Sequence, residues 1–154
     1  MSTTDELLAQ MEAEVLSTSA ENRFIVDNNL RTITVPGSIT VLGVEHDDDV
    51  HRLYFQMPKM YGEFDLSEFD IRINYVNAAD KPDTYPVDDK ETSGDNITFS
   101  WLVGRTAFEK MGDVKFNICL RKTDGVGDVV KEFNTTIATL PPVLEGLETT
   151  ELIV

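Results

Sequence analysis

The sequence predicts an all-β protein, an antiparallel immunoglobulin-like β-sandwich preceded by one short N-terminal α-helix. Three observations carry that expectation. Apolar residues recur with a period of two from Arg23 onward. Turn signals interrupt them about every 8–12 residues, the spacing of sandwich strands. Helical periodicity is confined to the start of the chain.

Residues 1–22 are the expected docking helix and linker. Thr3 followed by Glu6 matches a capping box, and Asp5 and Glu6 complement the positive end of a helix dipole. Leu7, Leu8, Met11 and Val15 fall into one apolar stripe, with Gln10, Glu12 and Glu14 opposite. So short a helix is marginal in water, so the stripe needs a surface, on its own domain or on a neighbouring subunit. These four residues are the candidate partner-binding residues. Residues 17–22 are small and polar and read as a linker.

Residues 23–142 are the expected sandwich. Strands at 23–27 and 31–35 flank Asn28-Asn29, a pair that tolerates positive φ and suits a tight hairpin. A strand at 51–57 is stopped by Pro58. Residues 69–76 alternate Phe69, Ile71, Ile73 and Tyr75 against Asp70, Arg72 and Asn74. Residues 84–87 contain Pro86, which restricts them to an edge. Residues 96–103 place Ile97, Phe99 and Trp101 on one face, and Ala107-Phe108 suit a helical turn. Residues 114–122 turn Val114, Phe116, Ile118 and Leu120 inward. Residues 129–140 read as one last long strand ended by Pro141-Pro142. The expected core includes Phe55, Ile71, Ile73, Phe99, Trp101, Phe116, Ile118 and Phe133. Residues 143–154 are expected to be a loosely held C-terminal tail.

Charge narrows the function. The 154 residues carry 28 acids against 13 bases, a formal net charge of −15. Such a field repels phosphate backbones and anionic lipid, so neither nucleic acid nor membrane is an expected partner. No run reaches the roughly 18 apolar residues of a membrane span, and the N-terminus lacks the basic start and apolar centre of a signal peptide. The lone Cys119 has no intrachain partner and lies in an apolar run, where a cysteine serves as a small buried hydrophobe.

No residue set carries catalysis. His46 and His51 bracket Glu45 and Asp47-Asp48-Asp49, a mixture of types that ligates metals, but the spacing is not that of a calcium loop. A solvated acidic turn is the expected reading, and no metal or other cofactor is expected. Nucleophile elbow, phosphate loop and dinucleotide fingerprint are all missing from the sequence. Glu63 and Asp65 near Tyr61 are the kind of pair that 28 acids produce by chance. Tyr54, Tyr61, Tyr75 and Tyr85 at strand spacing fit a core better than a sugar platform. The expectation is therefore a non-enzyme.

Six segments taken in order, FIVDNNLRTITVP, VLGVEHDDDVHRLYFQMPKMY, DLSEFDIRINYVNA, ITFSWLVGR, VKFNICLRKTD and EFNTTIATLPPVLEGLE, resemble a family of small structural proteins of tailed phages and prophages of Firmicutes. The resemblance spans roughly residues 22–148. More loosely, the pattern is similar to the N-terminal β-sandwich of upper baseplate proteins of phages infecting Gram-positive hosts. Those proteins continue into helical and receptor-binding regions that are not in this sequence, and the N-terminal helix is an addition to their pattern. The resemblance implies a virion protein made in the host bacterial cytoplasm, at the tail tip, baseplate or fibre attachment, or on the capsid. Its implied partners are other virion proteins, in a homo-oligomer or multicopy assembly. The competing expectation is a carbohydrate-binding or adhesin-like module that contacts the host surface.

Overall fold

The computed structural model describes residues 22–27, 29, 31–127 and 129–147. The expected helix, with Leu7, Leu8, Met11 and Val15, lies outside the described residues. Fourteen strands follow in chain order: β1 (Arg23–Val26), β2 (Ile33–Thr34), β3 (Gly43–Val44), β4 (His51–Pro58), β5 (Met60–Tyr61), β6 (Phe64–Asp65), β7 (Asp70–Val76), β8 (Pro82–Pro86), β9 (Glu91–Ser93), β10 (Asn96–Val103), β11 (Lys115–Thr123), β12 (Val129–Asn134), β13 (Ala138–Thr139) and β14 (Val143–Leu144).

Two larger sheets form the layers of a sandwich. The first has the order β2-β1-β4-β10-β9; the second has β12-β11-β7-β8, with β13 also on β11. β1 and β2 pair as a hairpin, Ile25 with Thr34 and Val26 with Ile33. Asp27 N–H donates to Thr32 O, so the connection is longer than the tight turn expected; Asn28 lies outside the described residues. The proline-bearing β8 sits at a sheet edge, as its missing donor requires. The helical turn expected at Ala107-Phe108 is a 3₁₀ turn over Arg105–Phe108.

Pairing is antiparallel with two exceptions. β1 runs parallel to β4, with Phe24 opposite Phe55, and β14 runs parallel to β3. A tight hairpin cannot make a parallel pair; a long return connection can, and residues 27–50 supply one between β1 and β4. Period-two patterning tells a strand's inner face but not the direction of its neighbour.

The inner faces interlock through aromatic rings. Phe24 stacks on Phe55 at 4.8 Å, Phe55 on Phe99 at 5.1 Å, and Phe116 meets Phe24 edge-on at 5.9 Å across the layers. Trp101 is fully buried beside Tyr75 and Phe116. Each such pair adds about 0.5–1.5 kcal/mol beyond the area it buries. The Trp101 Nε1–H has no hydrogen-bond partner among the described residues, so the ring stays for its packing and not for its polar edge. Of the expected core, Phe133 alone is partly buried; it packs on the core margin against Phe69, Phe64 and Tyr61.

Two expectations about the C-terminal third are corrected. Residues 129–140 are not one strand: β12 ends at Asn134 and β13 begins at Ala138. At the break Thr135 substitutes for the ladder, its N–H donating to Ile118 O (3.0 Å) and its Oγ1 accepting from Ile118 N–H (2.9 Å). Thr136 then donates from N and Oγ1 to Arg31 O, and Arg31 Nη1 donates to Asn134 O, which joins the edges of the two sheets. Nor does the stretch after Pro142 start out loosely held. Val143 and Leu144 pair with Gly43 and Val44, and Val143 is in the core.

Candidate functional site

Two regions present themselves, one that the sequence singles out and one that it does not. The first is the acidic loop of residues 45–49, between β3 and β4. His46 and Asp49 adopt positive φ, so the loop doubles back tightly and turns its carboxylates toward neighbouring backbone. Glu45 Oε1 accepts from Gly146 N–H and Oε2 from Met111 N–H, both at 2.9 Å. Glu45 N–H donates to Leu144 O, and Gly112 and Val143 exchange both backbone hydrogen bonds at 2.9 Å. One side chain thus clasps three segments far apart in sequence.

Asp47 completes this corner. Its Oδ2 accepts from Val44 N–H at 3.0 Å and pairs with His51 Nε2 at 2.8 Å, while the His51 ring leans on Phe108 at 5.4 Å. Asp48 meets Arg105 at 3.4 Å. The Gly146 and Met111 amides hold the Glu45 carboxyl below its usual range, and the Val44 amide and then His51 do the same for Asp47. Gly43 admits this packing because it has no side chain: a Cβ there would stand 2.6 Å from Phe108 Cε1 and 2.8 Å from Asp47 Oδ2. Among the described residues no group of three His, Cys, Asp or Glu is placed to hold a metal ion. The cluster works as a clasp for the C-terminal strand.

The second region is a groove of about 680 Å³ on the outer face of the second sheet, over β7, β8 and β11. Asn74, Val76, Thr84, Lys115 and Asn117 point outward there, and Ile137 stands at its margin. Register aligns them in rows: Asn117 opposite Asn74 and Asn74 opposite Thr84, then Lys115 opposite Val76 and Val76 opposite Pro82. Polar groups on the floor are partly engaged, Thr84 Oγ1 donating to Asn74 Oδ1 (2.9 Å) and Asn117 Nδ2 to Thr135 O (3.4 Å). Toward solvent the groove shows apolar Ile137, 72% exposed, and Val76, 36% exposed, beside exposed Asp83, Thr84 and Lys115.

The end of the groove is stiffened from below. Tyr75 donates its hydroxyl to Asp83 Oδ2 at 3.0 Å; burial, then the nearby Asp83, raises the Tyr75 pKa well above the ordinary phenol range. Asp83 is held ionised mainly by the Thr84 N–H. Buried Asn77 spans the adjoining turn, accepting at Oδ1 from Ala79 and Lys81 N–H (2.9 Å each) and donating from Nδ2 to Thr106 O (2.8 Å). These bonds fix the β7–β8 hairpin against the 3₁₀ turn at Arg105–Phe108.

Other residues noted in the sequence find structural places. Asp65 caps the 3₁₀ turn Leu66–Glu68, accepting from Ser67 N–H and Oγ–H. Cys119 is 2% exposed, the buried small hydrophobe expected, and burial raises its thiol pKa. Sequence reading missed the groove, although Val76 is a signal: it follows Asp70, Arg72 and Asn74 at an outward position and is apolar. Ile137 gives no such sign, because the strand break that exposes it is made by tertiary hydrogen bonds. Among the described residues no helix is long and apolar enough to cross a membrane.

No protein-family model matches the chain, and no curated protein matches it either. Among solved structures, the chain is similar to the N-terminal domain of phage TP901-1 ORF48, with a TM-score of 0.47 and 11% identity, over 80% of this chain and 95% of that one.

Proposed function

We propose that this chain is a non-enzymatic structural protein of a tailed-phage virion, incorporated through protein–protein contacts made by residues 4–16 and by a face of the sandwich. The observation that carries the reading is the ordered set of six segments that resembles small phage structural proteins. Those segments include Glu45 and its donor partner Gly146, while Met111 lies outside them. A structural role is also supported by how the would-be chemical groups are used: Glu45, Asp47, Asp65 and Asp83 all serve as acceptors for backbone N–H groups. Attachment at the tail tip or baseplate is the position to test first, and the capsid surface the second. Cryo-electron microscopy of particles from the encoding phage or prophage is the test. Sandwich-sized density at a symmetric position is expected; intact particles lacking the protein would end this reading.

A further inference from the structure

We infer that the groove on the outer face of the second sheet is the receptor for residues 4–16 of a second copy of this chain. The inference rests on the assembly reading above for its setting and adds the identity of one partner. Three observations carry it.

The first is complementarity. The groove offers Val76 and Ile137 as exposed apolar surface, with the Lys115 ammonium at the same end. Among the described residues Lys115 has no ion-pair partner, in a protein whose net charge is −15. The N-terminal segment is the matching shape of chemistry: four apolar residues at helical spacing, Leu7, Leu8, Met11 and Val15, together with four acids and no base between residues 4 and 16. Two bodies this acidic repel each other unless a basic site meets an acidic one.

The second is that several of the groove's polar side chains are already engaged. Asn74, Thr84 and Asn117 bond to the sheet, and Asp83 to Tyr75 and Thr84. An occupant gains by covering apolar surface, and the bonds already made reduce the polar groups it must desolvate.

The third is reach, which favours another copy over the same one. The N-terminal segment leaves the described structure at Asn22, whose Oδ1 accepts from Ser38 Oγ at 2.6 Å beside the β1–β2 edge of the first sheet. The groove lies on the far side of the other sheet. With sheets about 10 Å apart and strands about 4.8 Å apart, the way round the β12–β13 edge is roughly 25 Å. The six linker residues 17–22 span about 20 Å when fully extended. A neighbour's groove imposes no such stretch, so copies link through segment and groove.

Analytical ultracentrifugation of the full chain tests this. The wild-type chain should self-associate with increasing concentration, while Ile137→Asp and Leu8→Asp chains should each associate at least about tenfold more weakly, a change of about 1.4 kcal/mol. Mixing those two variants should restore a one-to-one complex, because an intact segment then meets an intact groove. Ile137 is exposed, so its replacement leaves folding intact, and an unchanged melting curve verifies this. A wild-type chain that stays monomeric, an Ile137→Asp chain that associates like wild type, or a mixture that stays monomeric would each overturn the inference. Chains that complement as expected but are missing from purified particles would sink the virion reading and leave this contact standing.

Discussion

Residues 45–49 hold four acids and a histidine in five positions, whereas Val76 and Ile137 are two aliphatic residues 61 positions apart with nothing local to connect them. By composition the first region looks like a binding loop and the second like nothing. In the folded chain the order reverses. Glu45, Asp47 and Asp48 are engaged with Gly146, Met111, Val44, His51 and Arg105, while the groove leaves apolar surface facing solvent. A site is available for recognition only to the degree that its groups are not already used by the fold. Charge density does not measure that; the hydrogen-bond partners do.

Substitutions can break this contrast, beginning with the core beneath the groove. Trp101→Ala should cost about 3–5 kcal/mol in denaturant unfolding, since the ring is fully buried between the layers. A loss below about 1 kcal/mol would mean that the layers do not close on this ring. Gly43→Ala should cost about 1–3 kcal/mol, because its Cβ would meet Phe108, Asp47 and His51 inside contact distance, and the clasp should suffer first. Hydrogen exchange should show lost protection at Val143 and Leu144 before the rest of the sandwich.

On the groove side, Thr135→Val should cost about 1–3 kcal/mol by leaving the Ile118 N–H without its acceptor in a buried ladder. It should also disturb binding at the groove, because the strand break positions Ile137. Glu45→Gln separates the two regions further. The ionised Glu45 carboxylate is favoured in the folded chain, so its contribution is complete above the ordinary carboxyl value of 4.5 and is lost as pH falls through the lower folded value. Protection of the Gly146 and Met111 amides should hold from neutrality down to about pH 5 and then decline. In the Gln variant that acid step should disappear. The smallest effect is expected at Ile137→Asp, within about 0.5 kcal/mol of wild-type stability by thermal melting, although self-association should weaken at least about tenfold.

Much of the sandwich was legible beforehand for a physical reason. Phe69, Ile71, Ile73 and Tyr75 alternate with polar residues because a strand in a two-layer protein has one dry face, and that constraint is written residue by residue. The edge position of Pro86 follows from its donor limit in the same way. Residues 129–140 misled because a Thr-rich run suits a strand locally, while the decision to break it belongs to Ile118 and Arg31, many positions away. The clasp was half visible: its acids stood out, but their partners are backbone N–H groups, which every residue except proline owns and which no sequence pattern marks.

The sequence by itself determined the layer architecture, the inward set of aromatic and aliphatic residues, the strong negative charge and the amphipathic character of residues 4–16. Local geometry and burial suffice for these, since each depends on a residue and its near neighbours. The tertiary structure alone decided the parallel pairings of β1 with β4 and β14 with β3, the conversion of the acidic loop into a clasp, and the groove beside Ile137. Each of these depends on which distant segments come together, and backbone hydrogen bonds, which settle that, carry no side-chain signature.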